Sequence, residues 1–161
     1  KIGENIQVRR AKIVEGENLA VYKHGLRIGV VVSYTGSAET GKGVAMHVAA
    51  FNPVAVTAED VPAELVAKEK EIAEAKAIES GKPANIVEKM VSGSVDKYLN
   101  EVVLERQMYV IDNEKKVAEI LKSTATTIVE FVRFQVGEGI EKKAEMSFAD
   151  EVAAAQAAAA Q

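Results

Sequence analysis

The chain has 161 residues, 48% of them hydrophobic, with a formal net charge of −4, two histidines and no cysteine. That length supports one domain with its own core, or one domain with a small appendage. The composition excludes a disulfide framework and a thiol nucleophile; with no Lys/Arg run longer than two and no apolar run near the roughly 20 residues that span a bilayer, nothing points to nucleic acid or to a membrane.

Residues 5–14 alternate, with Ile6, Val8, Ala11 and Ile13 between polar neighbours, and predict a half-buried strand. After the turn Glu15-Gly16-Glu17-Asn18, Leu19 to Tyr22 predicts a second strand, and His24-Gly25 a second turn. The β-branched run Ile28 to Tyr34 predicts a third, central strand, so an antiparallel meander is expected. Thr35 to Gly43 reads as a polar, glycine-rich loop, and Val44 to Phe51 as a helix with Ala45, Val48 and Ala49 on one face, stopped by Asn52-Pro53.

Residues 63–79 are rich in Ala, Glu and Lys and hold neither Gly nor Pro; Leu65, Val66, Ile72 and Ala73 share one helical face. Ser80-Gly81-Lys82-Pro83 is a helix stop followed by a helix start, and Ile86, Val87, Met90, Val91 and Tyr98 form a second stripe. The pattern predicts an αα-hairpin over 63–100, held by packing, since a pair such as Glu64–Lys68 supplies only about 0.2–0.5 kcal/mol. Met108 to Ile111 reads as extended, Asn113 as the cap of a helix to Lys122, and Thr126 to Val136 as a long strand with Ile128, Phe131 and Phe134 turned inward. A Gly-x-Gly turn, Gly137-Glu138-Gly139, follows, then the capping-box-like Ser147-Phe148-Ala149-Asp150 and an Ala-rich C-terminal helix or tail over 147–161. Strands come early and late with helices between, so the fold class is α+β: an antiparallel sheet packed with helices, a core from 1–62 and 101–146, and a protruding hairpin insertion.

The tempting chemical motif is Gly36-Ser37-Ala38-Glu39-Thr40-Gly41-Lys42-Gly43, which fits G-x-x-x-x-G-K between a strand and a helix. Gly43 stands where a phosphate-binding loop has the Ser/Thr that holds Mg²⁺, and the sheet reads as antiparallel where that fold needs parallel units; a surface loop is the better reading. His24 and His47 are too few for a zinc site without cysteine; His24 reads as a solvated turn residue and His47 as packed or rim-exposed. No pair of carboxylates is marked out for acid–base work. No cofactor or metal is implied, and the balance favours an interaction protein over an enzyme.

Three segments carry a resemblance: Lys1-Ile2-Gly3-Glu4-Asn5-Ile6, Ala45-Met46-His47-Val48-Ala49-Ala50, and Arg133-Phe134-Gln135-Val136-Gly137-Glu138-Gly139-Ile140-Glu141-Lys142. Tyr22-Lys23-His24-Gly25, Arg27-Ile28-Gly29-Val30, Ser80-Gly81-Lys82-Pro83 and Glu88-Lys89-Met90-Val91 add to it. In this order and over about 1–157 the chain closely resembles the bacterial translation elongation factor Ts family. The resemblance implies a guanine nucleotide exchange factor for elongation factor Tu, one that promotes GDP release without covalent chemistry in the cytoplasm, a setting that suits a cysteine-free chain. It implies contacts to Tu from Ile2, Gly3, His24, Val110 and Ile111, and from a C-terminal helix starting at Phe148. Assembly is left open between a homodimer and a Tu–Ts heterotetramer. The family's Thr-Asp-Phe-Val wedge is not in this sequence, and the chain opens at Lys1 in patterned sequence; both read as a C-terminal fragment that holds the scaffold and part of the interface. The alternative reading is a self-association module with exchange residing upstream.

Overall fold

The computed structural model describes residues 8–139; Ile2, Gly3, Phe148 and the helix expected over 147–161 lie outside them. Strands β1 (Asn18–His24), β2 (Ile28–Thr35) and β3 (Thr127–Gln135) form an antiparallel sheet in the order β1-β2-β3. Helix α1 (Ala38–Phe51) covers one face, α2 (Ala63–Glu79) and α3 (Ala84–Val102) form a hairpin, and a 3-10 turn at Leu104–Arg106 and α4 (Val117–Ser123) lead back to β3. The α+β class and the central place of the Ile28–Tyr34 run are as the sequence predicts.

Alternation builds the core directly. Ala20, Val30, Val32, Tyr34 and Ile128 point from the sheet onto Val44, Ala45, Val48 and Ala49 of α1, with Leu104, Tyr109, Val117 and Leu121 closing the side. Each fully buried valine here contributes about 1.5–3 kcal/mol relative to exposure. Ser33 is buried on the opposite face, where its hydroxyl donates to the Glu15 carbonyl at 3.2 Å.

The strand expected over residues 5–14 does not form within the described residues 8–14. Val8 and Ile13 are almost fully exposed, and the segment meets β3 and the turn after it through its own side chains: Lys12 pairs with Glu130 at 2.5 Å, Arg10 with Glu138 at 3.0 Å, Arg9 donates to the Glu138 carbonyl, and the Arg10 guanidinium lies 5.0 Å from the Phe134 ring centre. Alternation marks which side chains could face a core but does not itself make ladder bonds; among the described residues the outer edges of β1 and β3 stay unpaired. Phe134 is therefore a second correction. Arg133 turns toward α1 and its Nε donates to the Ala49 carbonyl at 3.4 Å, which places Phe134 on the opposite face. Ile128 and Phe131 both face inward although three residues apart, because the register slips at Ser33/Tyr34 and Val129 bulges outward.

The loop expected over Thr35 to Gly43 is mostly helix: α1 starts at Ala38, six residues before the apolar run at Val44. Ser37 caps it, accepting from the Thr40 N–H at 3.3 Å, and Asn52 ends it in the left-handed region at φ 49°. Asn113 caps nothing. Asp112 to Lys115 is a turn, its amide bond Lys115 N–H to Asp112 carbonyl at 3.2 Å, and α4 begins at Val117 after Lys116.

The hairpin is where the sequence places it, but its seam differs. Small residues, Ala73 and Ala77, carry the contact with Val87, Met90 and Val91, whereas Leu65, Ile72 and Ile86 stay partly exposed. The Glu64–Lys68 pair is not among the ion pairs formed; Lys70–Glu74, exposed, closes to 3.9 Å. The hairpin joins the rest through a small cluster in which Val66, Leu99 and Val102 pack on Ala55, Val61 and Val103. Replacing residues 67–98 by a short Gly/Ser linker is expected to leave the sheet folding cooperatively, because that cluster and the main core both survive. A melt that loses its single sharp transition would show that the hairpin is integral to the core.

Candidate functional site

The described candidate residues gather around one stretch of α1. His24 ends β1 and is exposed, its Nδ1 3.4 Å from the Tyr22 hydroxyl. With Tyr22 and Ile28 it faces Met46, Ala49 and Ala50 of α1 across a depression of about 450 Å³. Val110 and Ile111 lie on the other flank of the same helical turns. The Val110 N–H donates to Nδ1 of His47 at 3.2 Å, and Ile111, exposed, leads into the Asp112–Lys115 turn. His24 thus faces Met46, Ala49 and Ala50, while Val110 meets α1 at His47 and Ile111 meets it at Gly43.

His47 is not at a rim: it is fully buried. Its Nε2 lies 2.8 Å from Gln107 Oε1 and its Nδ1 faces the Val110 N–H. Only one neutral tautomer serves both partners, with the proton on Nε2 and Nδ1 accepting. Burial holds its pKa below the ordinary histidine value, and the Gln107 hydrogen bond opposes that shift only in part. The ring stacks on Phe51 at 4.7 Å between centres and faces Tyr109 at 6.1 Å. A histidine on the apolar face of a helix was the available sequence signal; its partner Gln107, 60 positions away, carried none.

The glycines of the phosphate-loop-like stretch have a packing role. A Cβ on Gly41 would lie 2.6 Å from the Tyr34 ring, and one on Gly43 would collide with the Tyr109 hydroxyl. Three of the amides such a loop would offer to phosphate are already used: Ser37 N–H donates to Thr126 Oγ1 at 3.1 Å, Thr40 N–H to Ser37 Oγ, and Gly41 N–H to the Ser37 carbonyl at 3.0 Å. Gly43→Ala is expected to destabilise the fold by about 1–3 kcal/mol through overpacking, read as a lowered thermal midpoint. Lys42 is exposed, and Lys42→Ala is expected to leave nucleotide affinity unchanged, with no GDP or GTP bound at micromolar concentration. A saturable, Mg²⁺-dependent signal lost in Lys42→Ala would overturn this reading of the loop.

Among the described residues no group of three or more His, Asp or Glu side chains is placed to hold a metal ion, and no helix is long and apolar enough to cross a membrane.

Comparison with known proteins shows the family. The family described as Elongation factor TS matches residues 1–138. The chain is 91% identical over 159 residues to Elongation factor Ts of Acinetobacter baylyi, 84% to that of Acinetobacter baumannii strain AYE, and 70% over 162 residues to that of Psychrobacter sp. strain PRwf-1. These matches cover 99%, 99% and 100% of this chain and 55% of each relative, so the chain spans about half the length of the relatives it matches. With that span and those identities, the chain belongs to the elongation factor Ts family.

Proposed function

We propose that this chain is the scaffold and part of the interface by which an exchange factor grips elongation factor Tu and promotes GDP release in the cytoplasm. The observation that carries the reading is that His24 and the Val110–Ile111 pair all lie against α1 between Gly43 and Ala50, in a chain 91% identical to an Elongation factor Ts. Ile2, Gly3 and the helix from Phe148 extend the same interface in this reading. No bond is made or broken. A factor that prefers nucleotide-free Tu to Tu·GDP weakens GDP binding by the same ratio, about tenfold for each 1.4 kcal/mol of preference. The hairpin over 63–100 is a separable insertion on this scaffold.

One observation favours the second reading, self-association. On the sheet face away from α1, Val21, Val31 and Val132 line up across the three strands, with Leu19 beside them; Val21 is exposed and Val31 half-buried. Such a row suits a second copy and is compatible with a homodimer or a heterotetramer with Tu. A pull-down with purified Tu, run beside size-exclusion chromatography of the chain alone, separates the readings. Tu capture supports the scaffold reading whatever the oligomeric state; a dimer that captures no Tu supports the second.

A further inference from the structure

We propose that His47 is the positioning residue that presents Val110 and Ile111 to the partner, by seating residues 107–111 along one face of α1. The inference rests on the proposed binding of Tu and adds the residue that shapes the contact surface without forming it.

Gly43, His47 and Phe51 stand four residues apart on the same face of α1, and the 107–111 segment runs antiparallel along it. At one end the Tyr109 hydroxyl and Ile111 Cδ1 occupy the space that Gly43 leaves open, the latter 3.1 Å from the position a Cβ would take. In the middle His47 accepts from the Val110 N–H and donates to Gln107, whose own amide nitrogen donates to the Glu101 carbonyl at 2.6 Å. At the other end Phe51 stacks on the imidazole and shares a depression with Met108 and Gln107.

The remaining anchors hold the other side of the segment. Tyr109 N–H donates to the Lys115 carbonyl at 2.8 Å and Val117 N–H to the Gln107 carbonyl at 3.0 Å, both pinning it to the chain that enters α4. His47 is the bond to α1, and the last one before the surface turn. Removing it frees Val110 and Ile111 to sample other conformations, and a segment that must be ordered at binding binds more weakly than one ordered beforehand.

The test uses the purified chain, His47→Phe, which keeps a ring of similar size and loses both hydrogen bonds, and His47→Asn, whose Oδ1 sits where Nδ1 accepted. Each is titrated with nucleotide-free Tu, and the Val110 amide is followed by NMR hydrogen exchange in the chain alone. Fixing one backbone residue corresponds to about tenfold in affinity, so His47→Phe should weaken Tu binding by that order while Val110 protection falls. His47→Asn should restore Val110 protection and much of the affinity, and Ile111→Ala should cost less in the His47→Phe background than in the wild type. A wild-type Val110 amide that exchanges as fast as an exposed one overturns the inference even if the Phe variant does not fold. So does a folded His47→Phe that loses Val110 protection and still binds Tu like the wild type. Failure of the wild-type chain to bind Tu while Val110 is protected overturns the functional reading on which the inference rests.

Discussion

Added at saturating concentration to Tu carrying fluorescent GDP, the 161-residue chain should bind yet accelerate GDP release far less than a full-length Elongation factor Ts. Contacts made equally well in the GDP-bound and empty states shift no equilibrium, however tight they are. His24, Val110 and Ile111 offer contact area, whereas the Thr-Asp-Phe-Val wedge that the family resemblance links to the metal and phosphate site is not in this sequence. Stopped-flow release at matched occupancy measures the difference. Acceleration by the chain equal to that of the full-length factor would mean that the wedge is not the driver and that the scaffold contacts themselves discriminate between the two states of Tu.

The second large effect belongs to acid and His47. Unfolded, this imidazole titrates near 6.5, the ordinary histidine value, and burial lowers it in the folded chain. Between the folded and unfolded values the unfolded chain binds more protons, so stability rises with pH. The contribution is complete above about pH 6.5 and is lost as pH falls through the folded pKa. Protonation also places a hydrogen on Nδ1, where the Val110 N–H now donates. Asp112, held low by the Lys115 hydrogen bond, and Glu138, held low by Arg10, act in a separate window at more acid pH. Urea unfolding between pH 5 and 8 should therefore show stability falling below pH 6.5 in the wild type and a flatter profile in His47→Phe. A wild-type profile that is flat over that range would show that the imidazole is not held neutral by its site.

Much of the fold was legible because the informative signals are local. The β-branched run Ile28–Tyr34 is the central strand, Ser80-Gly81-Lys82-Pro83 separates α2 from α3, and Gly81 has the positive φ expected after a helix end, 66°. Several of the misreadings involve partners distant in sequence. Residues 8–14 alternate like a strand, but strand identity depends on ladder bonds to a neighbour, which alternation does not specify. Gly41 and Gly43 read as loop residues, but they lie within α1 and are glycine because Tyr34 and Tyr109 fill the space a Cβ would take. In the hairpin the large apolar residues attract notice, while the seam that brings the helices together is built on Ala73 and Ala77. The candidate site divides the same way. His24 and Val110–Ile111 came from resemblance and not from their own chemistry, since an exposed histidine in a turn and a Val–Ile pair carry no intrinsic functional mark. The buried bond from His47 to Gln107 emerges only when α1 and the 3-10 turn are packed together.

The most direct test of the central claim is a calorimetric titration of the chain into nucleotide-free Tu and, separately, into Tu·GDP, with His24→Ala run alongside. The account predicts saturable binding to nucleotide-free Tu and nearly equal affinity for Tu·GDP. It also predicts weakening by about 1 kcal/mol in His24→Ala, the worth of one typical hydrogen bond. No detectable heat with either form of Tu, under conditions where a full-length Elongation factor Ts binds, would contradict the claim that this chain carries the Tu-binding scaffold.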